Sequence, residues 1–187
     1  MKLENSFEVP APKQHAWELL MDVPRVVPCM PGAELRETVD DTHWKADMAV
    51  KLGPIALSFD TDVSRESVDE ETGTVTLGAK AREKRGRGGA QAAIQSTLTE
   101  LAPQSTRIDI VTDLTLSGAV AQYGRGIVQD VSQQLVAKFA DCLKAQLDAA
   151  TPEQAAAAVA DASKPVSGLS LGLGAMWRSF LRLFRRR

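Results

Sequence analysis

The chain has 187 residues, 44% of them hydrophobic and 25% charged, with a formal net charge of −2. That length holds one good-sized core, and no stretch reaches the roughly 20 apolar residues of a membrane-spanning helix. Five of the 22 basic residues are arginines in the last twelve positions, leaving 17 basic against 24 acidic residues in the rest; an acidic body with a cationic end argues against a nucleic-acid binder, which carries its positive charge on a folded face, and for a body tethered to something negative.

Residues 3–9 alternate, with Leu3, Phe7 and Val9 on one side and Asn5 as the polar exception, which predicts a half-buried strand. Glu4 and Asn5 stand where a signal peptide would have its apolar core, so the expected compartment is the cytoplasm. After Pro10 and Pro12, "KQHAWELLMD" places Trp17, Leu20 and Met21 at helical spacing. "VPRVVPCMPG" reads as a turn-rich connection. Cys29 and Cys142 lie far apart with no metal-ligand neighbour and are expected to be reduced, mostly buried thiols.

From residue 33 a period of two persists for most of the next 80 residues. Trp44, Ala46, Met48 and Val50 alternate with polar partners; Ile55, Leu57, Phe59 and Val63 follow the turn "LGP". Val75, Leu77 and Ala79 follow "ETG", Ala92, Ile94 and Leu98 follow "GRGG", and Ile108, Ile110, Leu114 and Leu116 follow "APQS". Strands joined by short turn signals make an antiparallel meander with one wet and one dry face. Between Ala119 and Ala149 an i, i+4 series (Tyr123, Ile127, Val131, Leu135, Phe139, Leu143, Leu147) predicts one long helix. Residues 150–174, Ala-rich and then rich in Pro, Gly and Ser, read as a flexible linker.

The dry face of such a sheet needs a cover, and the terminal helix is the only large one. A curved sheet gripping a single helix leaves an apolar cavity between them. Its expected lining is Met30 at the mouth, Trp44, Met48, Leu57, Phe59, Ile94, Ile110 and Leu114 from the sheet, and Tyr123, Ile127, Val131 and Leu135 from the helix. Tyr123 is the polar handle, since its hydroxyl can meet a carbonyl. No metal-ligand spacing involves His15 or His43, the only histidines, and no nucleophile motif or phosphate loop occurs, so no metal and no covalent cofactor is expected. An inward pair of Glu34 or Glu37 with His43 would be the exception that revives an enzyme. "GRGGA" at 86–90 reads as a hairpin tip; "KAREKRGRGG" is basic but has no aromatic residues to stack bases, which argues against a nucleic-acid site and leaves a basic edge facing the membrane or an acidic partner as its other reading.

The last twelve residues form a second candidate site. At about 100° per residue, Met176, Trp177, Phe180, Leu181, Leu183 and Phe184 share an arc of about 160°. Arg178, Arg182, Arg185 and Arg186 lie opposite, and Arg187 strays. Such a helix, spanning 175–187, lies in an anionic membrane interface rather than across it, the alternative being a helix that docks on its own acidic body or on another subunit. At about 1 kcal/mol per basic residue its electrostatic attraction reaches at most about 5 kcal/mol, which predicts reversible, peripheral attachment.

Several stretches together resemble a known group: "FEVPAPKQHAWELLMD" at 7–22, "PCMPGAELRE" at 28–37, "VKLGPIALSF" at 50–59, "GRGGAQAAIQSTLTEL" at 86–101 and "YGRGIVQDVSQQLVAKFADCL" at 123–143. They are similar to the SRPBCC (START-like, helix-grip) superfamily and, within it, to the carbon monoxide dehydrogenase G-subunit family. The resemblance implies an α+β helix-grip fold over residues 1–149, a curved antiparallel sheet of six or seven strands around one long C-terminal helix. It implies as partner a molybdenum hydroxylase of the carbon monoxide dehydrogenase type. The function expected from these readings is non-catalytic: a hydrophobic-ligand carrier, with quinone as the candidate ligand, that attaches such an enzyme to the inner face of the cytoplasmic membrane. The alternatives are a cyclase or hydrolase on the same fold, or an assembly factor for the partner. The basic "KAREKRGRGG" departs from the glycine-rich hairpin expected of the family.

Overall fold

A computed structural model describes residues 1–52 and 55–149, together with residues 153, 154, 156, 159 and 160. The chain runs β1 (Lys2–Val9), α1 (Lys13–Met21), α2 (Val23–Val26) and a 3-10 turn (Val27–Cys29) into six strands: β2 (Ala33–Thr38), β3 (His43–Leu52), β4 (Ile55–Asp69), β5 (Thr74–Glu83), β6 (Gly88–Ala102) and β7 (Ser105–Gly118). A second 3-10 turn (Ala119–Tyr123) leads into α3 (Gly124–Asp148). All neighbouring strands pair antiparallel in one seven-stranded sheet, ordered β1-β7-β6-β5-β4-β3-β2. This is the α+β, helix-grip arrangement expected from the meander and its terminal helix. The linker and amphipathic segments expected at 150–174 and 175–187 lie outside the described residues, apart from the five positions named above.

Alternation decides which side chains face inward. Reading the pairing across the sheet, Ala46, Thr61, Ala81, Ala90 and Leu116 form one inward row, with Trp44, Val63, Ala79, Ala92 and Leu114 in the next. Leu77, Ile94, Thr112 and Leu3 form a third. Asn5, the polar exception in β1, also points inward, where its amide donates to Ser132 Oγ of α3 at 3.4 Å.

The interior divides in two. The main core joins Val9, Trp17, Leu20, Val26, Leu98, Ile108, Ile110, Phe139 and Leu143, so α1, α2 and the C-terminal half of α3 share one end of the sheet. Phe7 meets Phe139 edge-on, ring centroids 6.3 Å apart. A smaller cluster of Leu57, Phe59 and Val120 occupies the other end, beneath the second 3-10 turn.

Two sequence expectations change. Cys29 and Cys142 are disulfide-bonded rather than reduced, with Cα atoms 5.5 Å apart. The bond ties the first 3-10 turn to α3, two elements whose proximity depends on the whole intervening sheet and is invisible in a spacing of 113 residues. The terminal helix is also shorter. Its α-helical part has 25 residues, about 38 Å at 1.5 Å per residue, because Gly124 (φ 77°) sets the preceding 3-10 turn off from it.

The i, i+4 series does not form one buried stripe. Each four-residue step advances about 40° around the helix, so Ile127 stands about 120° from Phe139. Phe139, Ala140, Cys142, Leu143 and Gln146 are buried, whereas Ile127 is 47% exposed. The mixed three- and four-residue series Val128, Ser132, Leu135, Phe139, Cys142, Gln146 stays on the inward side.

Candidate functional site

At the end of the sheet away from α1, the packing leaves an open cavity of about 180 Å³. Its walls are Met48 and Val50 of β3, Leu57 and Phe59 of β4, Ala81 of β5, Ala90 of β6, Leu114 and Leu116 of β7, Val120 and Tyr123 of the 3-10 turn, and Val128 and Val131 of α3. The hollow has two causes. The paired alanines Ala81 and Ala90 floor this part of the sheet with short side chains. The N-terminal half of α3 has no fully buried side chain, since its buried residues begin at Phe139.

Six of the expected lining residues are therefore brought together: Met48, Leu57, Phe59, Leu114, Tyr123 and Val131. The other six lie elsewhere. Trp44 is buried, but the Arg65 guanidinium covers its ring at 5.2 Å from the centroid and donates to the Met21 carbonyl at 2.7 Å. Met30, Ile94 and Ile110 belong to the main core, beyond the Leu114 row at which the cavity stops. Ile127 points to solvent, and Leu135 is half-buried outside the cavity wall. The six expected residues are replaced by Val50, Ala81, Ala90, Leu116, Val120 and Val128. Val50, Leu116 and Val128 had the right period; the alanines carried no signal because small side chains mark a hollow only once the opposing surface is known.

The sequence reading also passed over a carboxylate on the dry face. Glu83 follows Val75, Leu77, Ala79 and Ala81 in phase and lies opposite Phe59, with its side chain only 1% exposed. Extending the alternation of "VTLGAKARE" to its last residue would have found it. Arg87 Nη2 donates to Glu83 Oε1 at 2.9 Å, and the backbone N–H groups of Arg85 and Arg87 donate to Oε2 at 2.9 and 3.1 Å. The Arg87 side-chain bond, followed by the two backbone N–H groups, holds the Glu83 carboxyl down at about 2 against the opposing effect of burial. Arg87 Nη2 also donates to the Ala56 carbonyl at 3.0 Å, while its own carbonyl accepts from Val120 N at 3.3 Å. One residue thus joins β4, β5 and the 3-10 turn around the cavity's end. Gly118 (φ 65°) permits that closure, because a Cβ there would collide with Gly88 and the Arg87 carbonyl.

The remaining charges face outward. Arg36 and Lys84 both pair with Asp47 and Asp60, and Arg82 pairs with Asp62 at 3.2 Å, so much of the basic hairpin is neutralised across the outer face of the sheet. The Lys84 ammonium, with Arg36 beside it, lowers the Asp47 carboxyl. The inward acid–base pair that would favour catalysis does not form. Glu34 is exposed, Glu37 pairs with Lys45 at 2.9 Å, and His43 sits 3.0 Å from Asp40 in an exposed turn. Among the described residues no three His, Cys, Asp or Glu side chains converge on a point that could hold a metal, and no helix is long and apolar enough to cross a membrane. The tail residues Met176 to Arg187 lie outside the described residues.

Solved structures share this fold at low sequence identity. A conserved protein from Geobacillus kaustophilus is 19% identical with a TM-score of 0.71, over 79% of this chain and 95% of that one. A START superfamily protein from Mycobacterium smegmatis is 13% identical with a TM-score of 0.56, over 79% and 97%. The Zhui aromatase/cyclase of a Streptomyces is 14% identical with a TM-score of 0.54, over 87% and 93%. No curated protein matches at the level of sequence. The family described as the carbon monoxide dehydrogenase G-subunit (CoxG) matches residues 6–148, from the middle of β1 to the end of α3, and the chain belongs to that family.

Proposed function

We propose that this protein is a non-catalytic carrier and recruitment factor. It holds a hydrophobic molecule between the sheet and the N-terminal half of α3, and its C-terminal segment 175–187 rests on an anionic membrane surface. The partner is a molybdenum hydroxylase of the carbon monoxide dehydrogenase type, brought to the inner face of the cytoplasmic membrane. The ligand is a quinone, moved between bilayer and enzyme. The observation that carries this reading is the cavity itself: an apolar hollow of about 180 Å³, open to solvent, with Tyr123 in its wall. An isoprenoid chain suits apolar walls, and a quinone carbonyl suits a phenolic donor. Family membership supports the partner, and the tail's arginine and aromatic faces support the membrane.

Solvent extraction of the purified full chain followed by mass spectrometry tests carriage: a co-purified quinone is expected, and an empty protein that takes up no added quinone refutes it. Deletion of 176–187 tests recruitment. The intact chain and its partner enzyme are expected in the membrane fraction and on anionic but not neutral vesicles, and the truncated chain in the supernatant. Equal partitioning of both forms refutes the anchor.

A further inference from the structure

Charge is split along the strand direction. The β3–β4 turn (51–55), the β5–β6 turn (83–88) and the stretch from β7 into α3 (118–125) lie at the end of the sheet that holds the cavity. Together they carry five cations, Lys51, Lys84, Arg85, Arg87 and Arg125, and one carboxylate, Glu83. The turns at the opposite end (39–43, 69–74 and 102–105) carry five carboxylates, Asp40, Asp41, Asp69, Glu70 and Glu71, and no lysine or arginine. Partners cancel part of the basic end: Lys84 pairs with Asp47 at 2.9 Å, and Arg87 with Glu83 at 2.9 Å. Lys51, Arg85 and Arg125 are exposed and form no ion pair among the described residues. The cavity wall lies close behind them in the chain, with Val50 next to Lys51 and Tyr123 two residues before Arg125. Two residues past Arg125, the Ile127 side chain stands 47% exposed.

We infer that this basic end is a second lipid-contacting surface, which sets the cavity end of the domain against the anionic headgroups of a membrane. This rests on the membrane attachment proposed for segment 175–187 and adds an orientation to it. Charge complementarity carries the inference. A body positive at one end and negative at the other is turned by a negative surface as it approaches, before any contact forms. Lys51, Arg85 and Arg125 come from three separate elements, not from one helix face or one bidentate clamp. A fluid layer of headgroups rearranges beneath cations so scattered, whereas the fixed carboxylates of a protein partner would have to match their spacing. Ile127 supplies an apolar side chain of the kind that enters the headgroup boundary. Docking by this end shortens the aqueous gap between bilayer and cavity, and water is the barrier that an apolar molecule must otherwise cross.

The test uses the full chain carrying Gln122→Cys, in the second 3-10 turn, or Thr72→Cys, in the acidic β4–β5 turn, each labelled with an environment-sensitive dye. Both positions are exposed, and the Cys29–Cys142 bond leaves no competing thiol. With vesicles of phosphatidylglycerol and phosphatidylcholine, a blue shift is expected at position 122 and none at position 72. With phosphatidylcholine alone, neither should respond. The combined substitution Lys51→Gln, Arg85→Gln and Arg125→Gln should abolish the shift at 122. It should also weaken vesicle binding by about a hundredfold, or about fivefold for each cation removed. Equal shifts at both positions, or a triple variant that binds as tightly as the wild type, overturn the inference. So does a label at 122 that responds to the partner enzyme and not to vesicles, which makes the basic end a protein interface. A wild-type chain that ignores anionic vesicles altogether removes the membrane reading itself, and this surface with it; an unshifted label at 122 on a vesicle-bound chain removes only the surface.

Discussion

Breaking the Cys29–Cys142 bond should cost this protein a large part of its stability. The bridge closes a loop of 113 residues that contains β2 to β7 and most of α3. Cross-linking a loop of that length removes about 16 cal/mol/K from the unfolded chain, or about 5 kcal/mol at 25 °C. For a chain of this size each kcal/mol moves the melting temperature by about 2–4 °C, so reduction should lower it by about 10–20 °C. Both cysteines are almost fully buried, so the native protein should resist mild reductant and the bridge should open only with unfolding. The assay is equilibrium urea unfolding of protein prepared without reductant and of protein reduced in denaturant and refolded with reductant, beside a thiol count in denaturant. Two titratable thiols in the unreduced protein would refute the bond, and a stability difference below about 1 kcal/mol would refute the loop argument.

Burial and charge supply two more expectations. Leu143→Ala, at a position 2% exposed in the main core, should cost about 2–5 kcal/mol in urea unfolding; Ile127→Ala, 47% exposed on the same helix, should cost less than about 0.5 kcal/mol. Equal costs would mean that α3 is rotated from the orientation described. The Glu83 carboxyl, held at about 2 by Arg87 and two backbone N–H groups, titrates near 4.5 once unfolded. A lowered folded value makes its contribution complete above about pH 5 and lost as the pH falls toward about 2. Glu83→Gln should therefore flatten the acid limb of the stability profile, and an acid limb identical to wild type would refute the assignment.

Much of the sheet was legible because antiparallel strands with one dry face write their alternation into the sequence. "HWKADMAV" and "IALSFDTDV" give both strand and facing, and the register then places Met48 opposite Phe59 without adjustment. The helix was legible as a helix but not in its facing. An i, i+4 series looks like a stripe in a sequence and is a spiral in space, so Ile127 read as lining and stands outside. The cavity was half legible. Met48, Phe59 and Val131 announce themselves by size and period, whereas Ala81 and Ala90 shape the hollow by what they lack. Trp44 failed for a different reason: its ring is claimed by Arg65, a cation from the next strand whose contact no periodicity foretells. The disulfide depends on contacts between opposite ends of the chain and was equally out of reach.

α3 behaves as a cantilever. Its C-terminal half is clamped by Phe139, Leu143, the disulfide and the Gln146 amide, which donates to the Arg25 carbonyl at 3.2 Å. Its N-terminal half overhangs the cavity with no fully buried side chain, and a positive-φ glycine lies at its tip. The two ends of one beam thus answer to different demands: substitutions near the clamp bear on the packing of the main core, while substitutions along the overhang reshape the roof of the hollow and leave that core as it is.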